Sequence, residues 1–332
     1  MSHALLDIED LKTHFPVRSG WFFKRQSGVV KAVDGVNLQV NEGEVLGLVG
    51  ESGCGKSTLA HTIVRLVLPT SGQIRFAGLA LQDLSRTALR AIRPRIQMVF
   101  QDPYASLNPR RTVFDTLAEP MLAHRLVPRN AVAREVGALM EQVGLAKRSM
   151  RKYPHEFSGG QRQRIAVARA LALQPQLILA DEPVSALDVS VQAQILNLLK
   201  SLREQRGLTM LLISHDLSIV RHMSHRIAVM YLGRIVEIGP ADEVFSRPLH
   251  PYTRALVAAA PVPDPDIERA RRRIILKGDP PSPLNPPDGC PFHPRCPFAT
   301  AECAQRVPAL EEHRPRQQAA CIRLPEIADT PI

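Results

Sequence analysis

The segment that most limits what this chain can become is the run Gly50-Glu51-Ser52-Gly53-Cys54-Gly55-Lys56-Ser57-Thr58. It fits the pattern Gly-x-x-x-x-Gly-Lys-Ser/Thr, in which glycines let backbone amides curl around phosphates, the lysine reaches the terminal phosphates and the next hydroxyl ligates magnesium. On average residue usage, a chance match in a chain of this size has odds of roughly 1 in 100. The flanks lower those odds further. Val45 to Val49 is an apolar run that leads straight into the loop, and Leu59 to Leu68 has a helical pattern after it. A strand, a glycine turn and a helix opening with Lys56-Ser57-Thr58 predict a nucleotide-binding α/β domain, with Gly50 to Thr58 as its phosphate contact.

The rest of the chain supplies what such a domain needs. Short β patterns fall at residues 4–11 and at Val36 to Val40, Ile96 to Phe100, Leu177 to Ala180 and Met210 to Ile213. Val132 to Val143 and Arg162 to Leu173 read as helices, and Val191, Ile195, Leu198, Leu199 and Leu202 recur at helical spacing. Strands alternating with helices predict an α/β core with a mainly parallel sheet. With 332 residues and 45% hydrophobic composition, the chain can bury a sizeable core and carry an extension. No run approaches the roughly 18 to 20 apolar residues of a membrane span, and the start MSHALLDIED lacks the basic and apolar regions of a secretory leader. A cytosolic location is therefore expected. The net charge of +10 suits an acidic partner such as nucleic acid, an anionic membrane face or a nucleotide, and suits a plain solvated surface equally well.

Chemistry-bearing residues sit where such a sheet would deliver them. Asp181 follows four apolar residues, so it ends a buried strand and is placed to hold magnesium through water beside Ser57. Glu182 comes next and is placed to polarise an attacking water. His215 ends the following strand, where its imidazole can face a γ-phosphate, and Gln101 ends the strand from Ile96. Phe157-Ser158-Gly159-Gly160-Gln161 precedes the helix from Arg162 and offers amides, the Ser158 hydroxyl and a helix dipole to an anion. Each has a plainer reading as a strand-ending turn, a structural histidine or an ordinary loop. The phosphate loop upstream favours the chemical one.

Taken in order, GESGCGKST, Gln101, FSGGQ, LILADE, SALD at Ser185 to Asp188, and His215 resemble the nucleotide-binding subunits of ABC transporters over about residues 4–260. The family usually has leucine where this chain has Phe157. The resemblance implies a P-loop NTPase core of RecA-like type with a helical signature subdomain, and ATP hydrolysis with Mg2+. Glu182, His215, Gln101 and Lys56 would be the catalytic set, Ser57, Gln101 and Asp181 the magnesium set, and Phe15 the adenine-stacking aromatic. It also implies two subunits that sandwich ATP head to tail, so that Ser158, Gly159, Gly160 and Gln161 act on the partner's nucleotide.

A narrower likeness lies in VFQDPYASLNPR (Val99 to Arg110), HEFSGGQRQRIAVARAL (His155 to Leu171) and HPYTRAL (His250 to Leu256) followed by a proline-rich tail. These resemble the ATPase subunits of dipeptide and oligopeptide importers, a group that also serves nickel and other small solutes. The insert SGWFFKRQSG (Ser19 to Gly28) is similar to the second of the two paired ATPases. Implied partners are a homologous ATPase subunit in a heterodimer, two transmembrane permease subunits and, through the complex, an extracytoplasmic solute-binding protein. The implied place is peripheral, on the cytoplasmic face of the plasma membrane. A soluble ABC ATPase acting on nucleic acid is the rival, but one compact unit with an importer-like tail speaks against it and no nucleic-acid partner is expected. The expected division is an ABC ATPase domain at residues 1–245, with its helical subdomain at about 102–165, and a C-terminal extension at 246–332.

Four of the five cysteines, Cys290, Cys296, Cys303 and Cys321, crowd that extension, whose prolines make it loop-rich. In a reducing compartment, clustered thiols point to a metal rather than to disulfides. Gaps of five, six and seventeen residues lack Cys-x-x-Cys knuckles, and the spacing leaves zinc, an iron–sulfur cluster and unligated thiols open. The resemblance favours a 4Fe-4S cluster, with zinc as the alternative.

Overall fold

The computed structural model describes residues 4–19, 25–260, 276 and 278–327. Of the insert Ser19 to Gly28, residues 20–24 lie outside the described residues. The chain runs through β1 (Ala4–Ser19), β2 (Arg25–Asn41), β3 (Val45–Val49), α1 (Lys56–Ile63), β4 (Ser71–Phe76), β5 (Leu79–Ala80), α2 (Arg86–Ile92) and β6 (Ile96–Val99). It continues through α3 (Pro103–Ser106), α4 (Val113–Ala123), α5 (Val132–Gln142), α6 (Gly159–Leu171), β7 (Leu177–Asp181), α7 (Val189–Arg206) and β8 (Thr209–Ile213). Then follow α8 (Leu217–Met223), β9 (Arg226–Tyr231), β10 (Arg234–Pro240), α9 (Ala241–Ser246), α10 (Pro251–Ala259), β11 (Glu311–Arg314), β12 (Gln317–Ala319) and α11 (Leu324–Ile327).

These elements form two compact units. One takes Met1–Leu5, Val40–Glu44 and Leu81–Ile213, the other Leu6–Gln39, Val45–Ala80 and Ser214–Ile332. In the first, β6, β7 and β8 pair in parallel, with Ile96 opposite Leu177 and Leu177 opposite Thr209. Every residue of β7 and β8 is buried, as unbroken apolar runs require when both faces of a parallel sheet are covered. Helices α4, α5 and α6 belong to the same unit. Thr112 caps α4 in a reciprocal box with Asp115, and Gly207, at φ 63°, ends α7.

In the second unit β3 pairs in parallel with β9, whereas β9, β10, β12 and β11 pair antiparallel in that order. A separate sheet has the order β2-β1-β4-β5. The mainly parallel sheet expected from sequence is thus a mixed one. The cause is local: Leu232 and Gly233, at φ 44° and 78°, form a two-residue turn that can only return the chain antiparallel to β9. Helix α1 also ends five residues before the expected Leu68, because Arg65 adopts a left-handed conformation at φ 59° and both Leu66 N–H and Val67 N–H turn back to the His61 carbonyl.

The extension holds more regular structure than its prolines suggest. Leu249, Ala319, Leu324 and Ile327 make a small core of its own. Glu237 of β10, fully buried, accepts from the Leu249 and His250 amides and from Gln317 Nε2, and so fastens the start of α10 and the β12 edge to the sheet. Burial pushes its carboxyl group up, against those hydrogen bonds.

Candidate functional site

The phosphate loop is shaped by backbone approach. Gly55 sits at φ 109°, and a Cβ there would lie 2.0 Å from the Ala32 carbonyl oxygen, so no side chain is tolerated. Lys56, only 4% exposed, folds back over the loop, and its Nζ donates to the carbonyls of Gly50 at 2.8 Å and Glu51 at 3.0 Å. No side chain caps the N-terminus of α1, which leaves the positive end of the helix directed at the loop. Cys54 lies 3.8 Å from Lys56 Nζ, and burial pushes its thiol up. In the same unit, Ser214 N–H donates to the Leu48 carbonyl, which brings the turn bearing the exposed His215 beside the end of β3, where the loop begins. Phe15 lies on β1 and is 39% exposed.

The acidic pair belongs to the other unit. Asp181 is the last residue of β7 and is 4% exposed. Glu182 takes φ 44°, a costly conformation for a side chain with a Cβ, and is held there by its N–H to the Ile213 carbonyl and by Ser185, which donates to the Glu182 carbonyl through both N–H and Oγ. Gln101, just past β6, donates from Nε2 to Glu182 Oε2 at 2.9 Å. The structure therefore joins two residues that sequence could place only separately at strand ends.

The signature segment starts α6 in the same unit as the acids. Ser158 Oγ accepts from Gln161 N–H at 3.4 Å and Gln161 Oε1 accepts from Ser158 N–H at 3.1 Å, a reciprocal capping box. An accepting hydroxyl keeps its own proton to donate, so Ser158 can still serve an anion. Gly160 is there for closeness: a Cβ would come 2.3 Å from Val191 Cγ1.

Residues 33–185 match the ABC transporter family, and residues 236–303 match the C-terminal region of oligopeptide/dipeptide transporters. The chain is 52% identical over 97% of its length to oligopeptide transport ATP-binding protein OppF of Escherichia coli (strain K12), covering 96% of that protein. It is also 52% identical over 96% of its length to oligopeptide transport ATP-binding protein AppF of Bacillus subtilis (strain 168), covering 97% of that protein. The chain belongs to the ATP-binding proteins of oligopeptide ABC transporters. Among solved structures, the ATP-binding cassette MJ0796, captured as a dimer in a post-hydrolysis state with ADP and Pi, aligns with a TM-score of 0.63 at 30% identity, over 71% of this chain and 98% of that one.

This ABC ATPase also has features that its motifs did not announce. Glu51 of the loop is bound through its amide to Tyr252 Oη and through its carboxylate to Arg295, and the string HPYTRAL carried the only sequence hint of Tyr252. Cys290, Cys296, Cys303 and Cys321 do meet, around one small cavity shared with His250 and Phe292. Burial first, and then the nearness of the other thiols, pushes Cys290 and Cys296 up to about 11, and Cys321 is raised as well. Among the described residues no group of three or more His, Cys, Asp or Glu is arranged to hold a metal ion, so nothing beyond this gathering of thiols supports the expected 4Fe-4S or zinc site. Burial around an apolar space holds Cys290, Cys296 and Cys321 towards the protonated thiol. Metal ligation needs thiolates that converge on one point.

Proposed function

We propose that this chain energises uptake of di- and oligopeptides as one of two paired ATPases beneath two permease subunits, fed by a solute-binding protein outside the membrane. Among the described residues no helix is long and apolar enough to cross a membrane, which suits a subunit docked on the cytoplasmic face. The observation that carries the catalytic part is the hydrogen bond from Gln101 to Glu182 beside Asp181. It gives the carboxylate that should take a proton from water a fixed orientation at a strand's carboxyl end.

In this reading Lys56 and the loop amides bind the terminal phosphates, His215 contacts the γ-phosphate, and Phe15 stacks on adenine. Ser57, Gln101 and Asp181 would hold Mg2+, which when bound neutralises charge on the phosphates. Ser158, Gly159, Gly160 and Gln161 complete the partner's site. The test is Glu182→Gln, which should leave ATP binding intact and slow hydrolysis about 10²- to 10⁴-fold. Unchanged turnover in the assembled complex removes Glu182 from the mechanism.

The four tail thiols support a second, narrower reading. Gathered around one cavity, they would hold a 4Fe-4S cluster, or zinc, once they lose their protons, and such a group would pin the loop-rich extension. Anoxic purification with a visible spectrum and metal analysis decides it: a colourless, metal-free protein with a folded extension rejects both.

A further inference from the structure

Glu51, the second residue of the phosphate loop, is held at three points. Its carbonyl accepts from Lys56 Nζ at 3.0 Å. Its amide donates to Tyr252 Oη at 2.8 Å. Its carboxylate receives both prongs of the Arg295 guanidinium, with Nη1 2.9 Å from Oε2 and Nη2 3.1 Å from Oε1. Two of the three holds therefore come from residues 201 and 244 positions further along the chain.

The holders are themselves built in. The Arg295 side chain is only 7% exposed, and its Nη1 lies 3.5 Å from Tyr231 Oη. Tyr231 in turn packs with Tyr252 and Phe292 in a cluster whose ring centroids lie 4.6 to 5.5 Å apart. Burial penalises the guanidinium charge, but the hydrogen bonds to Glu51 and Tyr231 and the charge of Glu51 outweigh that and push Arg295 further up. A two-pronged arginine–carboxylate pair is directional as well as strong, and a lysine would not reproduce it.

Nothing in the phosphate-loop pattern asks for such a brace, since the variable positions of the motif need no side-chain partner. Its consequence runs through Lys56, whose resting place is defined by the carbonyls of Gly50 and Glu51. If Glu51 shifts, one of the two carbonyl tethers of the phosphate-binding lysine shifts with it. Arg295 also ends the short turn His293–Arg295, immediately before Cys296, and His293 is tied through its N–H to the Cys290 carbonyl at 3.0 Å. Rearrangement around the cysteine cavity would thus act on the residue that clamps the loop.

We propose that Arg295 and Tyr252 are positioning residues for nucleotide binding, through which the C-terminal extension braces the phosphate loop at Glu51 and sets the affinity for ATP. The proposal rests on reading Gly50 to Thr58 as the ATP loop, and Lys56→Ala serves as the control on that reading. The measurement is equilibrium binding of a fluorescent ATP analogue to the full chain, with thermal melting alongside to confirm that each variant is folded. Arg295→Ala and Glu51→Ala should each weaken binding about 3- to 30-fold, the range for side chains that act through a packed network. The double variant should be no weaker than either single one, because both remove the same brace. Arg295→Lys, which keeps the charge but loses one prong, should fall between the parent and Arg295→Ala, and it carries the test if Arg295→Ala does not fold. Parent-like affinity in Arg295→Lys and Arg295→Ala, or fully additive losses in the double variant, overturns the brace. If Lys56→Ala loses ATP while Arg295→Ala keeps it, only the brace has failed; if Lys56→Ala binds as tightly as the parent, the loop assignment itself has failed.

Discussion

The phosphate loop and the C-terminal extension both lie largely outside regular structure, yet they are fixed by opposite means. The loop is a contiguous run whose shape comes from backbone close to backbone, with Gly55 against the Ala32 carbonyl. The extension is fixed by side chains far apart in the chain: Glu237 with Gln317, His250 over Phe292, and Arg295 with Glu51. A site made by a backbone that tolerates only glycine leaves its mark in the order of residues. A site made by distant side-chain pairs leaves almost none, because each partner by itself is an ordinary residue.

The sharpest way to break the loop side of that comparison is Gly55→Ala. The substitution sets a Cβ at 2.0 Å from a backbone oxygen, and does so at φ 109°. Strain and overpacking together should cost about 4 kcal/mol. The expected outcome is a much lower melting midpoint and loss of ATP binding, both read on the purified chain. A variant that melts and binds like the parent would show that the loop is not set by its backbone.

On the extension side the equivalent blow is Glu237→Ala. It strips the acceptor from the Leu249 and His250 amides and from Gln317 Nε2 at a fully buried position. Buried donors left without partners cost about 3 kcal/mol here. The loss should appear in denaturant unfolding and in early proteolysis after Pro240, while the all-buried strands β7 and β8 stay protected from amide exchange. Uniform loss of protection would mean that the extension is not a separately fastened layer.

The same contrast decides which features are legible in the order of residues. The strand leading into Gly50, the buried runs of β7 and β8, and the placement of Asp181, Glu182 and His215 at strand ends followed from apolar runs broken by polar residues. The Gln101–Glu182 bond was out of reach because the two are 81 residues apart and meet only through the parallel pairing of β6 with β7. The left-handed Glu182 and the early end of α1 at Arg65 were hidden too, since neither residue type advertises a positive φ. In the tail, the four cysteines were seen to cluster and do share a cavity, but spacing says nothing about whether thiols converge as ligands.

The smallest effect, and the most specific to the extension, is one of pH. His250 is fully buried, and burial, reinforced by the charge of Arg254, lowers its imidazole to about 3. The unfolded chain protonates this residue near its ordinary value of about 6.5. Between those limits the unfolded state binds more protons than the folded one, so His250 makes stability fall as pH falls, by at most about 1.4 kcal/mol per pH unit. Glu237 opposes it: its folded carboxyl group is raised, so the folded state holds the extra proton as acid is added and the slope is partly cancelled. A pH series on the parent alone would therefore mix the two. His250→Asn separates them, because an asparagine oxygen can replace Nδ1 as acceptor for the Tyr252 amide while removing the titration. The variant should lose less stability than the parent between pH 6.5 and 5, measured by urea unfolding at each pH. Parallel stability curves would mean that His250 is protonated in the folded protein, and that the layer over Phe292 is wetter than its burial implies.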